Sequence, residues 1–469
     1  MIPIGGFAGR EVAVFGLGLS GLASARALAA GGAAPILWDD SPSGVENARS
    51  QGFVIEDLRG ADWGRFAALI LAPGAPLTHP EPHWTVKAAR AAGVEVIGDT
   101  ELFFRERRRL GSRAPVAAIT GTNGKSTTTA LTAHILRHAG RDTAMGGNIG
   151  VAALDLAPFA DDRFYVLELS SYQIDLTPSL EPTAAALLNI TPDHLDRHGT
   201  LENYAAVKAR IFDRLGQAGA AVVGVDDPIS AAVADRLRTP ASLWRISAAR
   251  PVATGVFARG PHLIEAENGR EAAPVSIDGV GSLRGAHNWQ NAAAAFALCR
   301  GLGLARDEIA DGLRSFPGLA HRMEEVGRAG RVLFVNDSKA TNADAASKAL
   351  ASFDDIFWVL GGRAKDGGLA GLEPFFPRVR KAYLIGEAAA DFARALDGAV
   401  PYALCGHMAA AVAEAARDAE AMGGAHPVVL LSPACASFDQ YPNFMARGDD
   451  FRAALSRIAG VGALQTGDA

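Results

Sequence analysis

The stretch A-P-V-A-A-I-T-G-T-N-G-K-S-T-T-T-A, residues Ala114–Ala130, joins an apolar run to a helical pattern through a short glycine-containing turn. Its apolar run Val116–Ile119 predicts a buried strand, and a Gly/Asn-rich turn at Thr120–Gly124 follows directly. Lys125 and Ser126 then open a helical pattern. Glycines let backbone N–H groups converge on an anion, and the helix N-terminus adds partial positive charge. The stretch therefore predicts a phosphate-binding loop between a strand and a helix.

The loop departs from the strict pattern G-x-x-x-x-G-K-[ST], because Ile119 stands where the first glycine belongs. In a loop of this type, the lysine reaches the outer phosphates and the hydroxyl holds Mg²⁺. The alternative is an ordinary Gly/Asn turn before a surface helix. That alternative gives no reason for Lys125 or for the threonine run Thr127–Thr129.

Composition favours a large globular protein. The 469 residues are 49% hydrophobic and 20% charged, and a length of this size suggests about three domains. A net charge of −6 argues against a nucleic-acid partner, and the basic run Arg105–Arg109 fits a linker or a helix end better than a binding patch. Three scattered cysteines suit a reducing compartment, and no apolar run is long enough to span a membrane. We expect a cytoplasmic enzyme without a membrane or nucleic-acid partner.

The N-terminal third carries a dinucleotide-type fingerprint. Strand Glu11–Phe15 leads into G-L-G-L-S-G, residues 16–21, then a helix, and a second strand ends at Asp39. Taken alone, this pattern indicates NAD, although the same turn can hold any diphosphate. Ala72-Pro73-Gly74 then forms a loop at the ligand-binding edge of the predicted parallel sheet. The polar break Arg105–Ala114 fits a linker to the next domain.

The middle third places polar side chains where predicted strands end. Met145–Gly150 is a Gly-rich loop around Asn148, and strand Phe164–Leu167 delivers Glu168. A further strand, Ala184–Ile190, runs towards His194. A carboxylate and a histidine beside a phosphate loop are suitable Mg²⁺ ligands. The alternative for His194 is a loop histidine whose hydrogen bonds are satisfied locally.

Two helices complete this part of the chain. The helix Asn203–Phe212 holds Lys208 beside its apolar face, where a lysine is usually a surface residue with a buried stem. In the later helix, Asn288 and Asn291 are three residues apart and share a face.

The last third, after Phe316–Gly318, predicts another open α/β sheet. Its strands Val332–Val335, Ile356–Leu360 and Val428–Leu431 are each followed by polar residues, which indicates a ligand crevice at their carboxyl ends. We interpret Cys435 as a packing residue, since no histidine pairs with it in sequence.

Together these motifs resemble those of the Mur ligases of peptidoglycan synthesis, from Gly16 to Phe444. The resemblance rests on G-T-N-G-K-S-T (121–127), E-L-S-S-Y-Q (168–173), N-I-T-P-D-H-L-D-R-H (189–198), G-A-H-N-W-Q-N (285–291), H-R (321–322), N-D-S-K-A-T-N (336–342) and S-P-A-C-A-S-F-D-Q (432–440). The last two are most similar to those of the members that add D-glutamate. The resemblance implies an α/β fold with three domains: a Rossmann-like UDP-binding domain (1–108), a central ATPase-like domain (109–318) and a Rossmann-like amino-acid-binding domain (319–469).

The resemblance also implies an ATP-dependent amide ligase that adds D-glutamate to UDP-N-acetylmuramoyl-L-alanine through an acyl phosphate. It implies two Mg²⁺ ions and a CO₂-derived carbamate on Lys208. The implied catalytic residues are Lys125, Glu168, His194 and Lys208, and the implied metal ligands are Ser126, Glu168, His194 and carbamylated Lys208. ATP would be bound by Gly121, Thr122, Asn123, Gly124, Lys125, Ser126, Thr127, Thr128, Asn288, Asn291, Arg322 and Asp337. The UDP substrate would be bound by Gly18, Leu19, Ser20, Asp39, Gly74, Asn148, Ser170 and Gln173, and D-glutamate by Thr341, Lys365, Ser437, Phe438 and Phe444.

Some features leave alternatives open. Ala72 stands where relatives often carry serine, and Arg250–Asp278 matches the family poorly, which suggests a surface excursion of the central domain. An NAD-dependent oxidoreductase would explain the first third of the chain but not the Mg²⁺-type residues. A second alternative is another amino-acid ligase of the superfamily, such as a folate polyglutamate synthetase, but those enzymes lack an N-terminal domain of this kind. A third is a non-enzymatic binding protein, which would have no use for the Mg²⁺-type ligand residues. We expect a monomer.

Overall fold

The computed structural model describes residues 1–365 and 367–458, and the backbone of Gly462–Ala463. Its contacts divide the chain into two compact units. The first comprises Met1–Asp278 and Asn288–Arg314, and the second comprises Gly279–His287 and Ser315–Ala469. The first unit holds two sheets and the second unit holds one.

The first sheet has five parallel strands in the order β3-β2-β1-β4-β5, so the first strand is central, as in a dinucleotide-binding fold. The strands are β1 (Glu11–Phe15), β2 (Ala34–Trp38), β3 (Val54–Ile55), β4 (Leu69–Leu71) and β5 (Val96–Ile97). The helices are α1 (Leu19–Ala30), α2 (Pro42–Ser50), α3 (Trp84–Ala91) and α4 (Asp99–Arg109).

The second sheet has ten strands, and the phosphate loop follows one near its middle. On the main path the order is β14-β13-β12-β11-β10-β9-β6-β8-β7, and β15 pairs with β13. The strands are β6 (Val116–Thr120), β7 (Thr143–Gly147), β8 (Phe164–Glu168), β9 (Ala184–Leu187), β10 (Ala220–Gly224), β11 (Ser242–Ser247), β12 (Gly255–Arg259), β13 (His262–Glu267), β14 (Arg270–Glu271) and β15 (Val275–Ser276). The helices are α5 (Lys125–His138), α6 (Ser171–Asp175), α7 (Leu195–His198), α8 (Leu201–Ala209), α9 (Pro228–Arg236), α10 (Ala286–Gly301) and α11 (Arg306–Arg314).

Three local expectations differ from the structure. Arg250–Asp278 is not only a surface excursion, because its strands β12–β15 extend the second sheet and bury Phe257 and Ile264. The polar break Arg105–Ala114 is not a linker throughout, because Arg105–Arg109 form the end of α4, the helix-end alternative for the basic run, and Glu95 pairs with Arg105. The glycine-rich run from Met145 begins as the end of β7, where pairing with β8 satisfies the backbone.

The third sheet has seven strands in the order β20-β19-β18-β21-β17-β16-β22, and β16 runs antiparallel to both of its neighbours. The strands are β16 (Glu324–Ala329), β17 (Val332–Asn336), β18 (Ile356–Gly361), β19 (Val379–Ile385), β20 (Tyr402–Gly406), β21 (Val428–Leu431) and β22 (Gly462–Ala463). The helices are α12 (Ala343–Leu350), α13 (Ala389–Leu396), α14 (Met408–Met422) and α15 (Phe444–Leu455).

The first two sheets share one apolar core, in which the Phe103 ring of α4 packs 5.4 Å from that of Tyr165 on β8. The predicted α/β class with three sheet domains is confirmed. The boundaries 1–108, 109–318 and 319–469 stay a prediction. Within the described residues, no helix is both long and apolar enough to cross a membrane.

Candidate active site

The phosphate loop has the conformation that its glycines allow. Gly121 has φ +154° and Gly124 has φ +84°, backbone angles that an L side chain rarely adopts. Asn189, just after β9, fixes the loop from the neighbouring strand: its Oδ1 accepts from the Asn123 N–H at 2.8 Å and its backbone oxygen accepts from the Thr122 N–H at 2.9 Å. The loop is therefore held open in front of the α5 N-terminus, where an anion is stabilised.

The predicted nucleotide residues of the first unit converge on this loop. The Lys125 Nζ donates to the carbonyl oxygens of Gly121 and Thr122, at 3.0 and 2.7 Å. Asn291 donates to Asn288 Oδ1 at 3.1 Å, and a Cβ added to Gly124 would lie 2.2 Å from Asn291 Oδ1. The predicted asparagine face of α10 thus packs directly against the loop, which also explains why Gly124 lacks a side chain.

Glu168 ends β8, the strand beside β6, as predicted. Its Oε1 accepts from Asn148 Nδ2 at 2.9 Å. Its Oε2 is buried and has no hydrogen-bond partner among the described residues. A buried carboxylate oxygen without a partner costs free energy unless a cation or donor binds it, so this atom fits a metal ligand.

Lys208 is not a surface lysine. Its side chain is only 2% exposed, and its Nζ donates to Gly121 O at 2.9 Å and Thr120 Oγ1 at 3.2 Å. Burial is the main cause that holds the pKa of Lys208 well below its usual value, and the ammonium of Lys125 lowers it further. The buried amine of Lys208 therefore lies against the phosphate loop, and its lowered pKa favours the neutral form.

His194 is the N-cap residue of the short helix α7 and has φ +52°. Its side chain is about half-exposed, with Nε2 at 3.4 Å from Asp193 Oδ2. Burial of part of the ring is the main cause that lowers the pKa of His194. The neutral imidazole is the form that binds a metal ion. The contact with Asp193 keeps the local alternative open, so the metal role of His194 stays a prediction.

The donor set fits Mg²⁺ in chemistry. Among the described residues, no three His, Cys, Asp or Glu side chains already form a metal cluster. The predicted set has only two such residues, and Ser126 and a carbamylated Lys208 would supply the other oxygens. A hard cation prefers carboxylate and hydroxyl oxygens, which this set would provide.

A cavity of about 550 Å³ lies at the carboxyl ends of the first sheet. It is lined by all of the predicted fingerprint and loop residues, namely Gly18, Leu19, Ser20, Asp39 and Gly74. Asp39 accepts from the Leu17 N–H at 2.5 Å. The remaining predicted residues lie elsewhere: Asn148 contacts Glu168, while Ser170 and Gln173 form a capping box at the start of α6. Their roles towards the UDP substrate stay predictions.

The second unit holds Arg322 and Asp337. Asp337 follows β17, and its carboxylate accepts from the Ser432 hydroxyl at 2.9 Å and from the Met323 N–H at 3.2 Å. Burial raises the pKa of Asp337 to about 7, and Arg322 opposes that shift. Their ATP contacts stay predictions.

The residues predicted for D-glutamate follow three adjacent strands of the third sheet. Thr341 follows β17, Lys365 follows β18, and Ser437 follows β21. The loops after β18 and β21 are joined because Arg363 and Ala436 exchange two backbone hydrogen bonds, of 2.9 and 3.0 Å. Ser437 is buried, Lys365 is exposed, Phe438 is 66% exposed and Phe444 opens α15.

Sequence reasoning missed the residues that hold these loops in place. Arg447 on α15 is 1% exposed and donates to Ser338 Oγ, Ser338 O and Cys435 O at 2.8–3.0 Å. An arginine on a helix normally indicates a solvated face, so the sequence did not indicate that Arg447 is buried. Asn189 could have been found, because it opens a motif that carries the family resemblance.

The Mur ligase middle domain matches residues 119–299, and the Mur ligase glutamate ligase domain matches residues 321–435. The chain is 59% identical to a UDP-N-acetylmuramoylalanine–D-glutamate ligase of Nitrobacter hamburgensis, covering 98% of this chain and 99% of the relative. It is 56% identical to the ligase of that name from Rhizobium meliloti, covering 99% and 100%.

Solved structures agree in fold. A UDP-N-acetylmuramate–alanine ligase from Thermotoga maritima superposes with a TM-score of 0.57 at 16% identity, covering 95% of this chain and 99% of that one. A pseudomurein peptide ligase from Methanothermus fervidus gives 0.54 at 17% identity, covering 96% and 99%. At such identities only the fold is shown, whereas the sequence relatives show the family. The chain therefore belongs to the Mur ligase family and, within it, to the UDP-N-acetylmuramoylalanine–D-glutamate ligases.

Proposed function

We propose that this protein joins D-glutamate to UDP-N-acetylmuramoyl-L-alanine, with hydrolysis of ATP to ADP and phosphate, in cytoplasmic peptidoglycan precursor synthesis. One observation supports the chemistry most strongly. The phosphate loop lies directly above the buried amine of Lys208, and Glu168 holds an unpartnered carboxylate oxygen at the end of the adjacent strand. A phosphate-binding loop next to ligands for a hard cation is what phosphoryl transfer requires.

In the first half-reaction, the terminal carboxylate of the UDP substrate attacks the γ-phosphorus of ATP, and ADP leaves. The loop amides and Lys125 would bind the phosphate oxygens and offset their negative charge. Ser126, Glu168, His194 and carbamylated Lys208 would hold Mg²⁺, which would supply further neutralisation of the phosphate charge when bound. The protein forms no covalent bond to substrate in this scheme, and its contribution is positioning and electrostatics.

In the second half-reaction, the neutral amine of D-glutamate attacks the carbonyl carbon of the acyl phosphate. The C–N bond forms, the nitrogen loses a proton, and phosphate leaves with the C–O bonding pair. The loops that follow β17, β18 and β21 would hold the two carboxylates of D-glutamate.

Lys208 becomes the carbamate in this proposal. Its neutral Nζ attacks the carbon of CO₂, the N–C bond forms, an electron pair moves onto oxygen, and one proton leaves the nitrogen. The depressed pKa supports this step, because an ammonium has no lone pair to react. The product carries a carboxylate-like group, and the second of the two expected Mg²⁺ ions would bind to it.

The cavity beside Gly18–Ser20 binds the UDP moiety in this proposal, with the diphosphate near the α1 N-terminus and the uracil near Asp39. We expect UDP to raise the melting temperature of the protein in a concentration-dependent way, while NADH at the same concentrations leaves it unchanged. Thermal shift measures both. A saturable shift with micromolar NADH, and none with UDP, would instead support the oxidoreductase alternative.

The direct test measures ADP release with UDP-N-acetylmuramoyl-L-alanine and a panel of amino acids. We expect sustained ADP release with D-glutamate only, and formation of the amide product in equal amount. Fast turnover with another amino acid would assign the protein to a different ligase activity. We further propose that the protein acts as a monomer in the cytoplasm, without nucleic-acid or membrane partners.

A further inference from the structure

We propose that Arg197 is a positioning residue that joins the substrate loop of the first sheet to the helix whose N-cap is His194. The substrate loop is defined here as Pro73–Pro76, which lines the 550 Å³ cavity. This inference rests on the proposed function, because it assigns that cavity to the UDP substrate.

The guanidinium of Arg197 is bound to three consecutive backbone oxygens of the substrate loop. Its Nη1 donates to Gly74 O at 2.8 Å, and its Nη2 donates to Ala75 O at 2.9 Å and Pro73 O at 3.3 Å. These carbonyls lie outside any strand, and Arg197 donates to all three of them. The planar guanidinium of an arginine has several N–H donors in fixed positions and can bind three carbonyl oxygens at once. A lysine ammonium does not provide this geometry.

The other side of the same guanidinium packs on an aromatic ring. Its carbon lies 4.5 Å from the ring centroid of Tyr172, the second residue of α6. The Tyr172 ring also lies 5.0 Å from the ring of His194 and stacks at 5.5 Å on that of His198. Arg197 is thus held from both sides, by the substrate loop and by the aromatic cluster around the predicted metal ligand.

Arg197 is only three residues from His194 in the chain, so its contact with the substrate loop also connects that loop to His194. His194, Arg197 and His198 belong to one turn of helix, and the His198 Nε2 lies 2.9 Å from the hydroxyl of Ser171. The cavity left between the substrate loop, Tyr172 and Arg197 is about 10 Å³, room for about one water molecule. A shift of the substrate loop is therefore transmitted to His194 through packed groups.

The consequence is that occupation of the UDP cavity and placement of His194 depend on each other. A substrate that fixes Gly74 also fixes the oxygens that hold Arg197, and so the start of α7. Small displacements at a reacting centre reduce rates strongly, so this link would affect use of the UDP substrate more than affinity for ATP.

The test compares Arg197→Lys and Arg197→Ala with a control, Arg26→Ala. Arg26 forms a 2.8 Å ion pair with Asp155 that also bridges the first two sheets, but it does not line the cavity. We expect both Arg197 variants to raise the KM for UDP-N-acetylmuramoyl-L-alanine by about tenfold or more, with the KM for ATP changed by less than about twofold. The control should leave both constants unchanged.

Two measurements separate positioning from a general structural role. The ligand-free melting temperature of Arg197→Lys should stay within about 2 °C of wild type, and UDP-N-acetylmuramoyl-L-alanine should stabilise the variant less than it stabilises wild type. An unchanged substrate KM in Arg197→Lys, or equal increases for both substrates, would overturn the inference. If the wild type does not turn over the proposed substrates, the proposed function fails instead, so the two failures are distinguishable.

Discussion

Replacing Lys208 with alanine should lower kcat by about 100-fold or more, because the variant cannot form the carbamate proposed to hold Mg²⁺. Steady-state ADP release under saturating substrates measures this loss. The structure strengthens the expectation, since Nζ of Lys208 is buried and lies 2.9 Å from the carbonyl oxygen of Gly121 in the phosphate loop. A lysine with its ammonium in solvent would have no such effect.

Chemical rescue makes this prediction specific. Short carboxylic acids such as acetate supply the two oxygens that the carbamate would carry, so they should recover part of the activity of Lys208→Ala. The matched control is Lys125→Ala, which removes the neighbouring ammonium from the phosphate loop and which carboxylates should not rescue. Near-normal turnover by Lys208→Ala would show that the metal-bridging role is wrong.

A spectroscopic readout tests the modification without relying on activity. The wild-type protein equilibrated with ¹³C-bicarbonate should show a carbamate carbon signal that is missing from Lys208→Ala. The pKa direction sets the sign of the pH dependence: the reactive neutral amine is depleted as pH falls through the depressed pKa of Lys208, so the carbamate signal should weaken towards acid pH. A signal of equal intensity in both proteins would place the carbamate elsewhere.

The fold was predictable where the sequence pattern is local. The run Val116–Ile119 and the following turn predict a strand, a loop and a helix, and the structure confirms them as β6, the loop Gly121–Gly124 and α5. Local sequence patterns mispredict secondary structure where contacts with distant residues determine the conformation. The polar break Arg105–Ala114 suggests a linker because its charges are dense, yet its first five residues end α4, where Glu95 and Glu101 pair with Arg105 and Glu106 pairs with Arg109.

The site was predictable only in part, because its residues act through partners far along the chain. Asn291 contacts a loop whose Gly124 is distant in sequence, and only the family resemblance pointed to that pairing. Arg447 and Arg197 reach carbonyl groups on remote loops. Nothing near Arg447 in the sequence distinguishes it from a surface arginine, whereas Arg197 lies in the motif 189–198 that carries the family resemblance. The burial of Lys208 also needed the structure, since a helical pattern places it only beside an apolar face.

D-glutamate should be the substrate that the second unit selects, and analogues without the second carboxylate should be poor substrates. D-alanine and D-norvaline should each show kcat/KM values lower by about 10- to 150-fold, because they lose charge-assisted hydrogen bonds to the exposed ammonium of Lys365 that are worth about 1.5–3 kcal/mol. The proposed donors are Thr341, Lys365 and Ser437, which follow three adjacent strands. Initial rates of ADP release across the analogue series measure the discrimination.

The ammonium of Lys365 is the positive charge proposed to bind the second carboxylate of D-glutamate. Arg363 lies two residues earlier, but both of its bonded nitrogens pair with the Glu387 carboxylate, at 3.1 and 3.2 Å, which offsets its charge. Lys365→Ala should therefore raise the KM for D-glutamate by about 10-fold or more and leave the KM for ATP nearly unchanged. The control is Lys348→Ala on α12, whose ammonium pairs with Asp344 at the helix surface and which should alter neither constant. If Lys365→Ala weakens ATP instead, Lys365 belongs to the nucleotide site, and the second carboxylate of D-glutamate requires another partner.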